Sequence, residues 1–144
     1  MIATVFSAID DQEHSGCAAD KAIEIARVSS SKLIFFMANP VILPGRGPVA
    51  YRWTKEYIDE YFDLARSRAR RSGVFDTECV TKNTVDIASA IFIQAENAKA
   101  DYIVVGSNCR SGLFGSWRHS ITRIVSIKAH CPTIIVHQNE HNWH

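Results

Sequence analysis

The sequence is 144 residues long, the length of one domain, and 47% apolar with 22% charged residues, seven Gly and four Pro is the composition of a chain that buries a core. That excludes disordered, collagenous and low-complexity classes. Sixteen Lys and Arg against fifteen Asp and Glu leave a formal charge of +1, too little positive balance for a phosphate-backbone binder, so no nucleic-acid partner is expected.

Residues 2–9 are a short apolar run rich in β-formers that stops at Asp10 and Asp11, as a buried strand does before a loop. The first ten residues carry no basic n-region and no small-residue cleavage site, and a cytoplasmic chain is the expectation. Over residues 12–29, Ala18, Ala22, Ile25 and Ala26 recur at helical spacing, with Glu13 early and the serines 29 to 31 closing the segment. Residues 32–38 form a second run, continuously apolar after Lys32, the mark of a parallel strand covered on both faces. Residues 39–50 hold three prolines and two glycines and predict a long loop, a length that often borders a site.

Residues 51–72 predict a helix with Ile58, Tyr61, Phe62, Ala65 and Ala69 on one stripe and Gly73 as its stop. Acidic Glu56, Asp59, Glu60 and Asp63 precede Arg66, Arg68, Arg70 and Arg71, the order the helix dipole favours, and the arginine run reads as a solvated helix end. Residues 74–81 alternate like an edge strand. Asn83 or Thr84 is positioned to cap a helix whose inward residues are Ile87, Ala88, Ile91, Phe92, Ala95 and Ala98. Residues 101–105 predict a fourth strand, 106–117 a Gly- and Ser-bearing loop, 119–129 a fourth helix, and Pro132 introduces a last strand at 133–136.

Strand and helix alternate throughout, which calls for an α/β fold: an open, doubly wound parallel sheet with right-handed crossovers and helices on both faces. Residues 1–137 form this domain and 138–144 a polar tail. Ligands of such sheets sit beyond the carboxyl ends of the strands, where the strand order reverses, and here that rim comprises residues 9–11, 38–40 and 106–120.

Other constellations are weaker. The cysteines, at 17, 79, 109 and 131, form no CxxC pair and read as reduced thiols, although Cys109 beside Arg110 invites a redox reading. No apolar run approaches the roughly 20 residues of a membrane span, so no membrane partner is expected. His137, His141 and His144 have spacings that only a helical tail would turn toward one metal, and nothing upstream adds a fixed ligand; no metal is expected. The pair Asp10-Asp11 suggests a response regulator, but the third strand closes on Val80, Thr81 and Lys82, without the phosphoacceptor aspartate. His119 and Ser120 are sequence neighbours and point to different sides of a helix, which rules out a triad by adjacency.

The segment 100–122, ADYIVVGSNCRSGLFGSWRHSIT, with HCPTIIV at 130–136, resembles the C-terminal half of the universal stress protein family. Ala8-Ile9-Asp10, Glu13-His14-Ser15 and VDIASAI at 85–91 resemble its N-terminal and central parts, so the resemblance covers essentially the whole chain. It implies five parallel strands in the order 3-2-1-4-5, a homodimer through the last strand, and a division between members that bind ATP or a related adenine nucleotide and members that do not.

Nucleotide-binding members carry Gly, two residues, Gly, nine residues, Gly and then Ser or Thr, because glycines let backbone N–H groups approach phosphates. Laid on this sequence, those positions are Gly106, Cys109, His119 and Ser120, so two of the three glycines are replaced. Cys109 adds a Cβ where the pattern wants bare backbone, and the His119 imidazole either fills the phosphate space or, protonated, pairs with an anion. Arg110, Arg118, His119 and Arg123 keep the region basic; the resemblance places Asp10 against the adenosine moiety and Ala38 in the adenine pocket.

Two functions follow. The first is a stress-response protein acting as a dimeric interaction module for an unidentified protein partner, its phosphate loop degenerate and no cofactor bound. The alternative is an ATP or AMP sensor using Asp10, Ala38, Gly106, Arg110 and Ser120, at most a weak ATPase, since no residue stands out as a base to activate water.

Overall fold

The structure, a computed structural model, describes residues 3–10, 13–42, 47–107 and 113–137. The elements run β1 (Thr4–Ala8), α1 (Glu13–Ser29), β2 (Lys32–Ile42), β3 (Ala50–Tyr51), α2 (Lys55–Arg71), β4 (Thr77–Thr84), α3 (Ile87–Asn97), β5 (Tyr102–Ser107), α4 (Leu113–Lys128) and β6 (Thr133–His137). Five strands pair in parallel in the order β4-β2-β1-β5-β6, the expected order once the two-residue β3 is set aside. The addition is β3, which pairs antiparallel with the end of β2, Val41 opposite Tyr51 and Ile42 opposite Ala50.

The period-2 alternation of the central strands sorts two cores. Val5, Leu33, Phe35, Met37 and Val104 face α1 and α2, joined by Ala18, Ala22, Ile58, Phe62 and Ala69. Phe6, Ile34, Phe36, Ile103 and Val105 face α3 and α4, joined by Ala88, Ile91, Ala95 and Val125. The Phe6 and Phe36 rings pack on this second face with centroids 5.3 Å apart. With both sides covered, β1 and β2 have no solvent face, which is why their sequences read as unbroken apolar runs.

Several boundaries differ from the sequence expectation. β2 does not end at Ala38 but runs to Ile42, because β4 pairs with it as far as Pro40 and β3 takes over at Val41 and Ile42. Pro40 is tolerated because it lies beyond the end of β1, whose last partner on β2 is Phe36. Helix α2 starts at Lys55 rather than at 51, capped by the Thr54 side chain, which accepts from the Tyr57 N–H. At its other end Gly73 adopts φ 89°, the Gly73 N–H donates to Arg70 O at 3.0 Å and the Val74 N–H to Ala69 O at 2.9 Å, a Schellman cap that consumes Val74. The following strand accordingly starts at Thr77, not at 74.

Because β4 extends through Thr84, neither Asn83 nor Thr84 caps α3; the cap is Asp86, whose carboxylate accepts from the Ser89 N–H at 3.2 Å and hydroxyl at 2.8 Å. Those bonds hold the Asp86 carboxyl below its ordinary pKa. Helix α4 begins at Leu113, so Gly115, Ser116 and Trp117 are helical instead of loop. The apolar spacing Leu113, Trp117, Ile121, Val125 runs through Gly115 without a break, and one helical glycine costs only about 1 kcal/mol.

Cys79 and Cys131 are free thiols, and burial pushes the Cys79 thiol up to about 11. Among the described residues no helix is long and apolar enough to cross a membrane.

The end of the sheet opposite the strand carboxyl termini is pinned by Asp101. Its Oδ2 accepts from the Ala3 N–H at 2.8 Å and the Thr4 N–H at 2.9 Å, while its own N–H donates to Thr4 O at 2.8 Å. The Ala3 and Thr4 N–H groups hold the carboxyl below its ordinary value of 3.8. A depressed folded-state pKa gives stability that is present above 3.8 and is lost as the pH falls through the lower folded value. Asp101→Ala is expected to lower the Tm at pH 7, and the gap from the unaltered protein should close as melts are taken below pH 3.8; a gap independent of pH would assign the loss to packing instead.

Candidate functional site

Beyond Ala8 the strand β1 ends while β2 continues, and on the other side β5 runs past its last pairing with β1 at Val105, Gly106 and Ser107 staying paired with β6. Crossovers move away from β1 in one direction through β2 and in the other through β5, so their carboxyl ends leave a cleft that no crossover fills. This cleft is a pocket of about 650 Å³, counted with the space at its open mouth. Ala8, Ile9 and Asp10 form its base, Phe36, Ala38 and Pro40 one side, and Val105 and Gly106 the other. Ile87 and Ile91 of α3 and Ile121 and Thr122 of α4 complete it from the helical layer.

Three of the five sequence-predicted residues therefore meet in one cavity: Asp10, Ala38 and Gly106. Arg110, with Cys109, lies outside the described residues, as do His141 and His144. His119 and Ser120 lie within α4, whose described side chains begin at Ile121. The start of α4 at Leu113 corrects the expectation that they sit at a helix mouth; they fall in its second turn.

A wall that the sequence reading missed closes the β2 end. Arg52 and Trp53 follow β3 and line the pocket. The Arg52 N–H donates to Pro40 O at 2.9 Å. Asn39, only 3% exposed, gives both faces of its amide to one residue: Nδ2 donates to Trp53 O at 3.0 Å and Oδ1 accepts from the Trp53 N–H at 3.0 Å. Trp53 packs against the α1–α2 core, and the Arg52 guanidinium carbon lies over its ring at 5.4 Å from the centroid. Arg52 and Trp53 were hidden in a segment expected to be helical, but the Pro- and Gly-rich stretch before them had pointed to a neighbouring site.

The pocket is apolar on most sides, with one carboxylate at Asp10, one guanidinium at Arg52 and a buried hydroxyl at Thr122. That is the make-up of a site that holds a flat, partly apolar molecule with a few polar contacts. Among the described residues no group of three His, Cys, Asp or Glu is arranged to hold a metal.

The fold and the site define the class: an open, doubly wound α/β domain with a pocket at its switch point. The chain belongs to the universal stress protein family, whose model matches residues 1–137. Among solved structures, a universal stress protein in complex with cAMP is 26% identical with a TM-score of 0.76, the match covering 96% of this chain and 99% of that one. A universal stress protein from Archaeoglobus fulgidus in complex with dAMP is 24% identical, with a TM-score of 0.66 over 94% of this chain and 98% of that one. A family protein from Arabidopsis thaliana with AMP bound is 15% identical, with a TM-score of 0.64 over 96% of this chain and 94% of that one. No curated protein matches the chain.

Replacing Asn39 removes both bonds to Trp53 and leaves a buried N–H and C=O without them. Asn39→Ala is expected to cost about 1–3 kcal/mol of stability in urea unfolding; an unchanged midpoint would mean that the wall is held by packing alone.

Proposed function

We propose that this chain is an adenine-nucleotide-binding universal stress protein that takes a mononucleotide of the AMP class in the rim pocket. The observation that carries the reading is the convergence of Asp10, Ala38 and Gly106 on one mostly apolar cavity at the switch point. The Asp10 carboxylate accepts hydrogen bonds from the ribose side, Ala38 leaves room for a ring, and Gly106 brings bare backbone to the phosphate side. A relative with cAMP bound at 26% identity supports the same ligand class. The replaced glycines, Cys109 and His119, bear on how a polyphosphate would be gripped; a monophosphate makes less demand on that loop.

Titration calorimetry of the nucleotide-stripped protein tests this. Saturable micromolar binding of AMP or cAMP is expected, weakened about 10- to 100-fold by Asp10→Ala, the effect of losing a charge-assisted hydrogen bond of about 1.5–3 kcal/mol. No heat and no thermal shift at millimolar nucleotide would leave the ligand-free interaction module as the function.

The proposal includes a homodimer through β6. Among the described strands β6 pairs only with β5, and a strand edge is a template for pairing with another chain. Ile135 on β6 is 37% exposed, and α4, which packs on β6, exposes Ile124 and Ile127. Sedimentation equilibrium is expected to give twice the protomer mass, and Ile135→Lys to shift it toward the monomer; a monomeric unaltered chain would refute the dimer.

A further inference from the structure

The Arg52–Trp53 wall is built with more care than a connection between a two-residue strand and a helix requires. A buried amide fixes the Trp53 backbone at both its N–H and its C=O, Trp53 is anchored on a core, and the guanidinium rests on the ring. The result is a planar cation in the lining of the pocket whose position is set through two successive contacts, Asn39 to Trp53 and Trp53 to Arg52. We propose that Arg52 is a ligand-contacting residue that meets the purine ring, with Trp53 and Asn39 as its positioning residues. This rests on the nucleotide reading of the same pocket.

Three observations give the guanidinium to the base rather than to the phosphate. Arg52 stands at the β2 end of the pocket, with Pro40 beside it, whereas Gly106 stands at the β5 end and Asp10, just past the end of β1, between them. Adjacent strands are about 4.8 Å apart, which places the two ends about 10 Å from one another, the span of a nucleoside monophosphate laid across β1. Ala38, Pro40, Ile87 and Ile91 give the β2 end an apolar lining, which favours a flat heteroaromatic ring over a hydrated anion. Guanidinium is itself flat and weakly hydrated, stacks on aromatic faces and carries N–H donors that match the acceptor nitrogens of a purine.

The experiment titrates AMP and adenosine into the unaltered protein, Arg52→Ala, Asn39→Ala, Trp53→Phe and the double variant with Asn39→Ala in the Arg52→Ala background. Arg52→Ala is expected to weaken both ligands by the same factor, about 5- to 20-fold, since adenosine lacks the phosphate and keeps the ring. Asn39→Ala alone is expected to weaken AMP about fivefold, and to have no further effect once Arg52 is already Ala; that coupling would not arise from a structural role alone. Trp53→Phe, which keeps a ring under the guanidinium, is expected to lose less than Asn39→Ala and stands in should Asn39→Ala fail to fold.

Weakening of AMP with adenosine unchanged would assign Arg52 to the phosphate and overturn the inference. So would AMP and adenosine affinities that all the variants leave untouched. If the unaltered protein binds AMP and these variants bind it equally well, the nucleotide reading stands and this one falls; if the unaltered protein binds no nucleotide, the nucleotide reading itself falls, and this inference with it.

Discussion

The pocket exists because β2 outlasts its neighbour. β1 gives up its last pairing at Ala8, opposite Phe36, while β2 continues to Ile42. A strand that leaves its partner exposes a row of N–H and C=O groups, and those must be answered. β4 answers on one side through Pro40, and β3 turns back against the last two residues. Everything that shapes the site hangs on this overhang: the side wall of Phe36, Ala38 and Pro40, the clasp from Asn39, and the placement of Arg52.

Alternation along β2 divides the work between its two faces. Ala38 and Pro40 line the pocket on the α3 side, while Leu33, Phe35 and Met37 face α1 and α2 and Asn39 falls on the same parity as these three. Asn39 is the step at which that apolar series turns polar, and its amide finds its two partners on Trp53 rather than in the core. A buried amide is tolerable only when its donors and acceptors are engaged, so the polarity of Asn39 is itself a constraint on where residue 53 lies.

Much of this was legible in the residues. Apolar runs at 2–9 and 32–38 marked covered parallel strands, and the rule that ligands gather beyond strand ends led to the rim segments 9–11, 38–40 and 106–120, within which the family resemblance pointed to Asp10, Ala38 and Gly106, which share the pocket. What was not legible depends on contacts distant in sequence. Pro40 read as the start of a loop because proline lacks a ladder donor, and only the ending of β1 makes it harmless there. Tyr51, Arg52 and Trp53 carried no local signal separating them from the helix that follows, since what holds them out of it is bonding to β2: Tyr51 pairs with Val41, the Arg52 N–H donates to Pro40 O and Trp53 bonds the Asn39 amide. Asp86 was overlooked as a cap for a similar reason: Asn83 and Thr84 are chemically equal candidates until β4 occupies them.

The short antiparallel pair of β3 with β2 also sets how this region can vary between relatives. Because Val41–Ile42 and Ala50–Tyr51 are locked together, and Trp53 is locked to Asn39, the two strand ends joined by the intervening connection are already fixed. Closing a longer loop costs only about 0.6 kcal/mol for each doubling of its length. Residues can be gained or lost between those two strand ends without moving Arg52, so the length of the connection is open to change while the geometry behind it is kept.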